Sequence, residues 1–222
     1  MGTLAAAAAV ARGHTLHAVV GRADVAADGT LPAARLHGAD VVIEFTRPDA
    51  ALANLRQLVS LGIPTVTGTT GWYAELDEIR ALVERRRAAV LYAANFSIGV
   101  HLFLHAAAET ARLLSGRPEF DGIIVEEHHG AKRDAPSGTA ALLQARARER
   151  DTARAYPITS IRAGDIPGTH ALRYEGPDES LALVHTARNR NAFAAGAVAA
   201  AEWLPGRSGL FTFEELLFGR GR

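Results

Sequence analysis

The sequence predicts an α/β fold, in which a parallel sheet is followed by an α+β region with an antiparallel or mixed sheet. In the first half, apolar segments with strand character alternate with helical segments, an order typical of a parallel sheet with right-handed crossovers. In the second half, strand-like segments follow one another across Gly, Pro and Asp turns, as expected for antiparallel pairing. A length of 222 residues accommodates one large domain or two small ones.

The elements of the first half are identified by their residue patterns. Asp40–Phe45 is a compact apolar run of the kind that forms a buried parallel strand. The next segment carries Pro48 near its start and Gly62 at its end, which are typical helix boundaries. We therefore expect helices over 3–11, 48–62 and 74–87, and strands over 16–20, 40–45, 63–67 and 89–92.

The second half is predicted to hold a mixed set of elements. Ser137 or Thr139 is placed to cap the helix that follows the Pro-Ser-Gly-Thr turn. The segment Ile161–Gly168 contains a Gly–Asp turn, which we interpret as structural. We expect helices over 99–114, 137–150 and 193–203, an extended segment over 120–128, and strands over 158–162, 170–175 and 180–187.

The composition argues against several classes of protein function. Acidic and basic residues balance at 24 each, whereas a nucleic-acid binder needs a basic stripe. The chain has no cysteine, which excludes disulfides and thiolate chemistry. No apolar run reaches the roughly 18 residues of a bilayer span, and the Ala-rich start lacks the basic region of a signal peptide. We therefore expect a cytoplasmic protein without nucleic-acid or membrane partners.

The segment Glu126–Ala140 concentrates the chemically active side chains. It holds three acids, the adjacent His128 and His129, and Lys132, which is the only lysine in a chain with 24 basic residues. Lysine is a compact ammonium whose pKa shifts readily, whereas arginine stays charged. Together with the free amides at the following helix start, Lys132 suits a small dianionic ligand, and either histidine suits proton transfer near neutral pH.

A metal site is not expected. The side chains of His128 and His129 are adjacent on a strand and therefore point to opposite faces. His101, His105 and Glu109 share a helix face, but the chain has no His-Glu-x-x-His pattern and no evident fourth ligand. A packed or solvated helix face is the better interpretation.

Compact polar turns follow two neighbouring predicted strands. Gly68-Thr69-Thr70-Gly71 lies between a strand and a helix, and Phe45-Thr46-Arg47-Pro48 has the same position one strand earlier. Small residues let a ligand approach the backbone, and open α/β sheets bind ligands at the carboxyl ends of their strands. The two turns predict one shared crevice, with ordinary strand-to-helix turns as the alternative.

Several segments together resemble the 4-hydroxy-tetrahydrodipicolinate reductase (dihydrodipicolinate reductase) family of the bacterial lysine and diaminopimelate pathway. The most specific match is Glu126-Glu127-His128-His129-x-x-Lys132-x-Asp134-Ala135-Pro136-Ser137-Gly138-Thr139-Ala140. The remaining matches occur in the family's order and cover essentially the whole chain: Phe45–Pro48, Gly68–Gly71, Asn95–Gly99, Ile161–Asp165 and Ser208–Phe211.

The resemblance implies two domains and one reaction. Residues 1–97 with 194–222 would form a Rossmann-like dinucleotide-binding domain, and residues 98–193 a domain that binds substrate and builds a homotetramer. The implied reaction is the reduction of a small cyclic dicarboxylate by NADPH or NADH, with loss of water. Two alternatives remain: another two-domain amino-acid-pathway dehydrogenase, and an inactive oligomeric dicarboxylate-binding protein.

The resemblance also assigns residues to roles. His128 is implied as the proton donor, with Lys132 assisting it. The residues implied in holding the substrate carboxylates are His129, Lys132, Ser137, Gly138 and Thr139. Those implied around the cofactor are Gly2, Arg22, Phe45, Gly68, Thr69, Thr70, Ala94, Asn95 and Phe96, with Arg190 and Phe193 helping to close the domains.

The chain departs from the family pattern at two places. The family opens with a strand and a Gly-x-x-Gly-Arg-Met-Gly loop that cradles the pyrophosphate, and here Met1-Gly2 match only the end of that loop. An inactive, N-terminally truncated form is therefore one of the alternatives. After the first predicted strand, which corresponds to the second strand of the family, stands Gly21-Arg22 rather than an acid, and an arginine there favours the 2′-phosphate of NADPH.

Overall fold

The structure is a computed structural model that describes residues 1–219. Its helices are α1 (Gly2–Ala11), α2 (Ala33–Leu36), α3 (Pro48–Ser60), α4 (Leu76–Arg86), α5 (Ile98–Leu114), α6 (Gly138–Arg150), α7 (Asn191–Trp203) and α8 (Phe213–Phe218). Its strands are β1 (Val42–Glu44), β2 (Thr65–Thr67), β3 (Ala89–Tyr92), β4 (Asp121–His128), β5 (Ile158–Arg162), β6 (Thr169–Glu175), β7 (Ser180–Thr186) and β8 (Gly209–Thr212).

The chain divides into two compact units. The first consists of Met1–Ile98 together with the C-terminal segment from Arg190, and the second is Gly99–Asn189. Residues 220–222, which the sequence assigns to the first domain, lie outside the described residues. Each unit has its own sheet and its own buried core.

The first unit is built on a parallel sheet with the strand order β1-β2-β3-β8. Successive side chains of β3 enter different cores, since Val90 packs with Leu55 and Ile79 whereas Leu91 packs with Phe96 and residues of α7. This alternation follows from the pleat of a strand. Both faces of the sheet are therefore covered by apolar side chains, as parallel sheets require.

The strand predicted over 16–20 is absent, which corrects the sequence-based expectation. Residues 14–20 adopt no regular structure, and Leu16 and Val19 are 42% and 63% exposed. A strand is stable only when a neighbour supplies backbone hydrogen-bond partners. Among the described residues β1 is the edge of the sheet and pairs only with β2, and residues 14–20 form no ladder with its free side.

The second unit is built on a mixed sheet with the order β5-β4-β6-β7. β4 pairs with β5 in parallel and with β6 antiparallel, and β6 pairs antiparallel with β7. Burial alternates along β4, whose Ile124 packs into a core with Leu143 of α6 and Phe103 of α5. The α/β fold class and the mixed second sheet that the sequence predicts are both confirmed.

Candidate active site

The segment predicted to carry the chemistry lies between the end of β4 and the start of α6. β4 ends at His128, and α6 begins at Gly138 with Ser137 as its N-cap. The Ser137 hydroxyl oxygen accepts a hydrogen bond of 3.2 Å from the backbone N–H of Ala140. The amides of Gly138 and Thr139 donate to no acceptor among residues 1–219. The helix therefore presents free N–H donors next to the end of β4.

A buried carboxylate lies beside His128. Alternate residues on a strand share a face, so Glu126 and His128 both point toward the helix side of the sheet. Nδ1 of His128 lies 2.5 Å from Oε2 of Glu126, whose side chain is fully buried. The approach is too bent for a regular hydrogen bond, but it places a negative charge next to the imidazole.

Arg162 completes the surroundings of this carboxylate. Its Nη2 donates at 2.7 Å to Oε1 of Glu126 and at 2.6 Å to the carbonyl oxygen of Asp134. Burial would raise the pKa of Glu126, but hydrogen bonds from Arg162 and Ser160 and the charges of His128 and Arg162 outweigh burial and hold the pKa at about 2. Glu126 is therefore ionised at neutral pH.

The imidazole of His128 has a depressed pKa. Burial lowers the pKa of His128, the carboxylate of Glu126 raises it, and the charges of Lys132 and Arg162 lower it further. The free protein thus holds His128 mainly neutral near pH 7. A Cβ at Gly168 would lie 3.3 Å from Nε2 of His128, which is a tight contact, and the φ of +137° at this position also favours glycine.

A second buried histidine lies next to this pair. His170 stands opposite Glu126 in the register of β4 and β6, and its ring centroid is 5.1 Å from that of His128. Its Nε2 lies 2.9 Å from the hydroxyl oxygen of Ser137. Burial, followed by the charge of His128, lowers the pKa of His170 to about 4.

The remaining predicted substrate residues lie on the exposed side of this cluster. Lys132 is 23% exposed, and its Nζ forms bonds of 2.7 and 2.8 Å with the carboxylate of Asp134. The hydrogen bond from Lys132 lowers the pKa of Asp134. His129 and Gly138 are exposed, and Thr139 is half-buried. A ligand carboxylate can thus replace Asp134 as the partner of Lys132.

One group of metal-binding type exists among residues 1–219. Donor atoms of Glu126, His128 and His170 all lie within 4.8 Å of one another. The guanidinium of Arg162 already pairs with Glu126, and its charge opposes a cation at that point. In α5, the carboxylate of Glu109 pairs with Arg112 at 2.6 Å.

Sequence patterns do not reveal Arg162 or His170 as members of the site. Arg162 belongs to a segment interpreted as a structural turn, but it ends β5 and pairs with Glu126. His170 lies in a predicted strand without an assigned role. Both enter the site through strand register, since His128 is opposite Arg162 and Glu126 is opposite His170.

A second cluster occupies the carboxyl ends of β1 and β2 in the first unit. Glu44 is 4% exposed, and its carboxylate accepts hydrogen bonds from the Thr46 backbone at 2.9 Å and from the hydroxyls of Thr67 and Thr69 at 2.5 and 3.1 Å. The Thr46 amide also contacts the Thr69 hydroxyl at 2.8 Å. One buried carboxylate therefore ties the two strand-end turns together, a role that the strand pattern around Glu44 does not indicate.

Three strand-end segments of the first unit are also joined by ring contacts. A side chain at Gly68 would lie 2.0 Å from the ring of Phe45, and that ring contacts Phe96 edge-to-face at 6.0 Å between centroids. Phe96 follows Ala94 and Asn95, and the side-chain Oδ1 of Asn95 accepts a hydrogen bond of 2.7 Å from the backbone N–H of Ser97. The segments predicted around the cofactor after β1, β2 and β3 are thus brought together.

The other predicted cofactor residues lie elsewhere in the first unit. Gly2 begins α1, Arg22 begins a short 3-10 turn, Arg190 is the N-cap of α7, and Phe193 is in the first turn of α7. Within the described residues, no hydrogen bond or ring contact joins any of them to the three strand-end turns. Arg22 is exposed and pairs with no acid of the described chain.

Family models match both units. A model described as dihydrodipicolinate reductase, N-terminus, matches residues 1–96, and one described as dihydrodipicolinate reductase, C-terminus, matches residues 99–217. The chain belongs to the dihydrodipicolinate reductase family. The resemblance drawn from the motif between Glu126 and Ala140 is thereby confirmed.

Relatives of the dihydrodipicolinate reductase family match over most of the chain. A 4-hydroxy-tetrahydrodipicolinate reductase of Christiangramia forsetii is 35% identical over 80% of this chain and 79% of its own length. That of Myxococcus xanthus is 38% identical over 81% and 72%, and that of Natronomonas pharaonis is 40% identical over 81% and 78%. The match is therefore not limited to one unit.

Solved structures agree on the fold of the dihydrodipicolinate reductase family. A dipicolinate-bound dihydrodipicolinate reductase from Paenisporosarcina sp. TG-14 superimposes with a TM-score of 0.79 at 22% identity, covering 98% of this chain and 95% of that one. An amine dehydrogenase from Mycobacterium smegmatis gives 0.57 at 12% identity, covering 96% and 92%. In the part of the chain that the structure describes, no helix has the length and hydropathy of a bilayer span.

Proposed function

We propose that this chain reduces 4-hydroxy-tetrahydrodipicolinate to tetrahydrodipicolinate with NAD(P)H, with loss of water, in diaminopimelate and lysine biosynthesis. The observation that carries the proposal is the buried Glu126–His128 pair beside the free amides of α6 and the ammonium of Lys132. The relatives bear the name of this reaction. We assign the reaction to the cytoplasm, where reduced nicotinamide nucleotides are supplied.

His128 is the proton donor in this proposal. Because Glu126 is ionised and faces Nδ1, Nδ1 carries the proton in the neutral ring, and Nε2 is the atom that takes up and releases a proton. A dianionic substrate next to the ring favours the imidazolium. The bent contact with Glu126 is expected to become linear in the complex, as catalytic hydrogen bonds often do.

The substrate carboxylates are held by cationic and amide donors. The N–H groups of Gly138 and Thr139 are free at the start of α6, where the helix dipole favours negative charge. Lys132 supplies a full positive charge beside them, and the exposed His129 lies on the same loop. Two carboxylates on one small ring match this arrangement of donors better than a single anion does.

The residues of the first unit fit a nicotinamide cofactor. The amides of Thr69, Thr70 and Gly71 donate to no acceptor among the described residues, and they lie at the carboxyl end of a parallel sheet, where such ligands bind. Gly68–Thr70 and Ala94–Phe96 would hold the nicotinamide half. When bound, the cofactor supplies the hydride for the reduction.

NADPH is the preferred cofactor in this proposal. Arg22 follows Gly21, is exposed, and has no acidic partner in the described chain, so its guanidinium is available to a 2′-phosphate. Asp24 does not compete for the ribose, because its carboxylate already binds the Gly21 amide and Arg35. Equal kcat/KM with NADPH and NADH would contradict the preference.

A homotetramer is proposed through the second unit. One face of its sheet packs on α5 and α6, while the opposite face carries Ile161 and Val184, which are 38% and 58% exposed. An apolar sheet face needs a covering layer, and a second copy of the same face supplies one. Light scattering on Val184→Glu is expected to show a smaller particle than for the native chain.

The activity is tested by following NADPH absorbance with 4-hydroxy-tetrahydrodipicolinate as substrate. We expect oxidation of NADPH that depends on both the substrate and this chain. Binding of pyridine-2,6-dicarboxylate without NADPH oxidation would instead indicate an inactive dicarboxylate-binding protein. Turnover of a different amino-acid-pathway substrate alone would indicate another dehydrogenase.

A further inference from the structure

We propose that His170 is a positioning residue, which directs the hydroxyl proton of Ser137 toward a carboxylate of the bound substrate. The inference rests on the proposed function, and it assigns a role to a residue outside the family motif between Glu126 and Ala140. Nε2 of His170 lies 2.9 Å from the Ser137 hydroxyl oxygen, and both side chains are buried.

The number of hydrogen bonds that the Ser137 hydroxyl can form limits what its single proton can do. A serine hydroxyl has two acceptor lone pairs and one proton. One lone pair accepts the N–H of Ala140, which makes Ser137 the N-cap of α6. The contact with His170 therefore uses either the second lone pair or the only proton.

The position of the proton on His170 decides between these two cases. When Nε2 carries the proton, it donates to Ser137, both lone pairs are used, and the hydroxyl proton is free to donate to a ligand. When Nδ1 carries the proton, Ser137 must donate to Nε2 and has no proton left for a carboxylate. A substrate carboxylate at the start of α6 thus favours the Nε2–H form, because only this form provides the additional donor.

The surroundings of His170 keep its ring neutral, and a neutral ring can adopt either of these two forms. The groups facing it are Glu126 and His185, its cross-strand partners on β4 and β7, together with His128 and Lys132. Burial keeps the ring neutral at neutral pH. Further along β6 the same face carries Leu172 and Tyr174 in the apolar core. An aliphatic side chain at position 170 would therefore be sufficient if packing were its only role.

Two substitutions at position 170 distinguish the effect of the hydrogen-bond donor from the effect of side-chain volume. The amide nitrogen of His170→Gln occupies a position comparable to Nε2 and can still donate, whereas His170→Met fills similar space without a donor. We expect His170→Met to raise the KM for substrate and the inhibition constant of pyridine-2,6-dicarboxylate about tenfold. His170→Gln is expected to stay within about threefold of the native chain, and kcat and its pH profile should change little in both.

A double substitution tests whether His170 acts through Ser137. In a Ser137→Ala background the change to Met at position 170 should raise KM no further, because the hydroxyl that it orients is gone. Independent, multiplicative effects on KM would overturn the inference, as would a fall in kcat at constant KM, which would place the action of His170 on His128.

A measurement on the native chain does not depend on whether the variants fold. Nitrogen chemical shifts of ¹⁵N-labelled histidine report which ring nitrogen is protonated. With NADPH and pyridine-2,6-dicarboxylate bound, we expect Nε2 of His170 to be protonated. An unprotonated Nε2 would refute the inference. Native enzyme that neither turns over nor binds the dicarboxylate would refute the proposed function as well, whereas an active native enzyme with an unaffected His170→Met would refute only the role of His170.

Discussion

Nδ1 of His128 lies 2.5 Å from Oε2 of Glu126, a carboxylate with no exposed surface and a pKa of about 2. A permanent negative charge is thereby fixed on one side of the imidazole, which leaves the other nitrogen to meet the substrate. Arg162 holds the same carboxylate from the opposite oxygen. In the proposed reaction, the pair determines both the ring nitrogen that reacts and the proton affinity of the ring.

Glu126→Gln is expected to lower kcat by about tenfold to a hundredfold, because the neutral amide no longer fixes the ring or stabilises its imidazolium. It should also destabilise the fold by about 2–3 kcal/mol, since Arg162 keeps a partly buried charge without a partner. Steady-state kinetics and denaturant unfolding measure the two effects. Glu127→Gln, on the next residue of β4 and the opposite face, is the control; equal losses in both variants would contradict this role.

The pH dependence of the reaction should differ between free enzyme and complex. His128 must carry a proton to donate one, so activity is lost as pH rises through its pKa. That pKa is lowered in the free chain, by burial first and then by Lys132 and Arg162, and a dianionic substrate raises it. We expect the alkaline midpoint of kcat/KM to lie below that of kcat. The reverse order would rule out this assignment of the donor.

Lys132→Arg should retain the fold and lose most of the activity, by about a hundredfold in kcat/KM. A guanidinium keeps the charge that pairs with Asp134, but it is wider than an ammonium and holds its proton permanently. Arg133→Lys, at the exposed neighbouring position, is a matched exchange that should leave kcat/KM unchanged. Normal turnover by Lys132→Arg would refute the role given to this lysine.

Acid should destabilise the chain between pH 6.5 and 4. The pKa of His170 falls from 6.5 to about 4 on folding, chiefly through burial, so within this window the unfolded chain binds a proton that the folded chain does not. The contribution of His170 leaves the free energy of unfolding undiminished above pH 6.5. As pH falls toward 4, this contribution lowers the free energy of unfolding by up to about 3 kcal/mol. Denaturant unfolding as a function of pH checks this, and His170→Gln should show a flatter curve. A parallel curve would contradict the assignment.

Glu44→Gln should weaken cofactor binding rather than catalysis. The carboxylate joins Thr46 after β1 to Thr69 after β2, and an amide with one acceptor oxygen cannot accept all of these bonds. We expect KM for NADPH to rise about fivefold to tenfold with kcat nearly unchanged. Asp40→Asn, an exposed acid just before β1, is the control. A fall in kcat at unchanged KM would contradict a role in shaping the cofactor turns.

The sequence locates the site because its chemistry is local. His128, Lys132 and Ser137 lie within ten residues, and the helix that Ser137 caps is predictable from the same stretch. Arg162 and His170 are distant in sequence, and they reach the site only through the pairing of β5 and β6 with β4. Register depends on which strands become neighbours, which a single sequence does not specify.

The same limit explains the one predicted strand that does not form. Leu16–Val20 has the apolar character of a strand, yet a strand also needs a partner with free backbone groups. The converse case is β8, which no strong local pattern predicts, but which pairs with β3 over residues 209–212. Its Leu210 and Phe211 enter the two cores on either side of the sheet. At both places the observed pairing, and not the local residue pattern, decides whether a strand is present.

The pairing of β3 with β8 also sets an order for synthesis on the ribosome. The second unit is continuous in sequence, and all of its strands have been made once Thr186 has left the exit tunnel. The first unit begins earlier along the chain, but its sheet lacks a strand until Thr212 has emerged. The cluster around Glu126 can therefore be completed before β8 has joined the parallel sheet of the first unit.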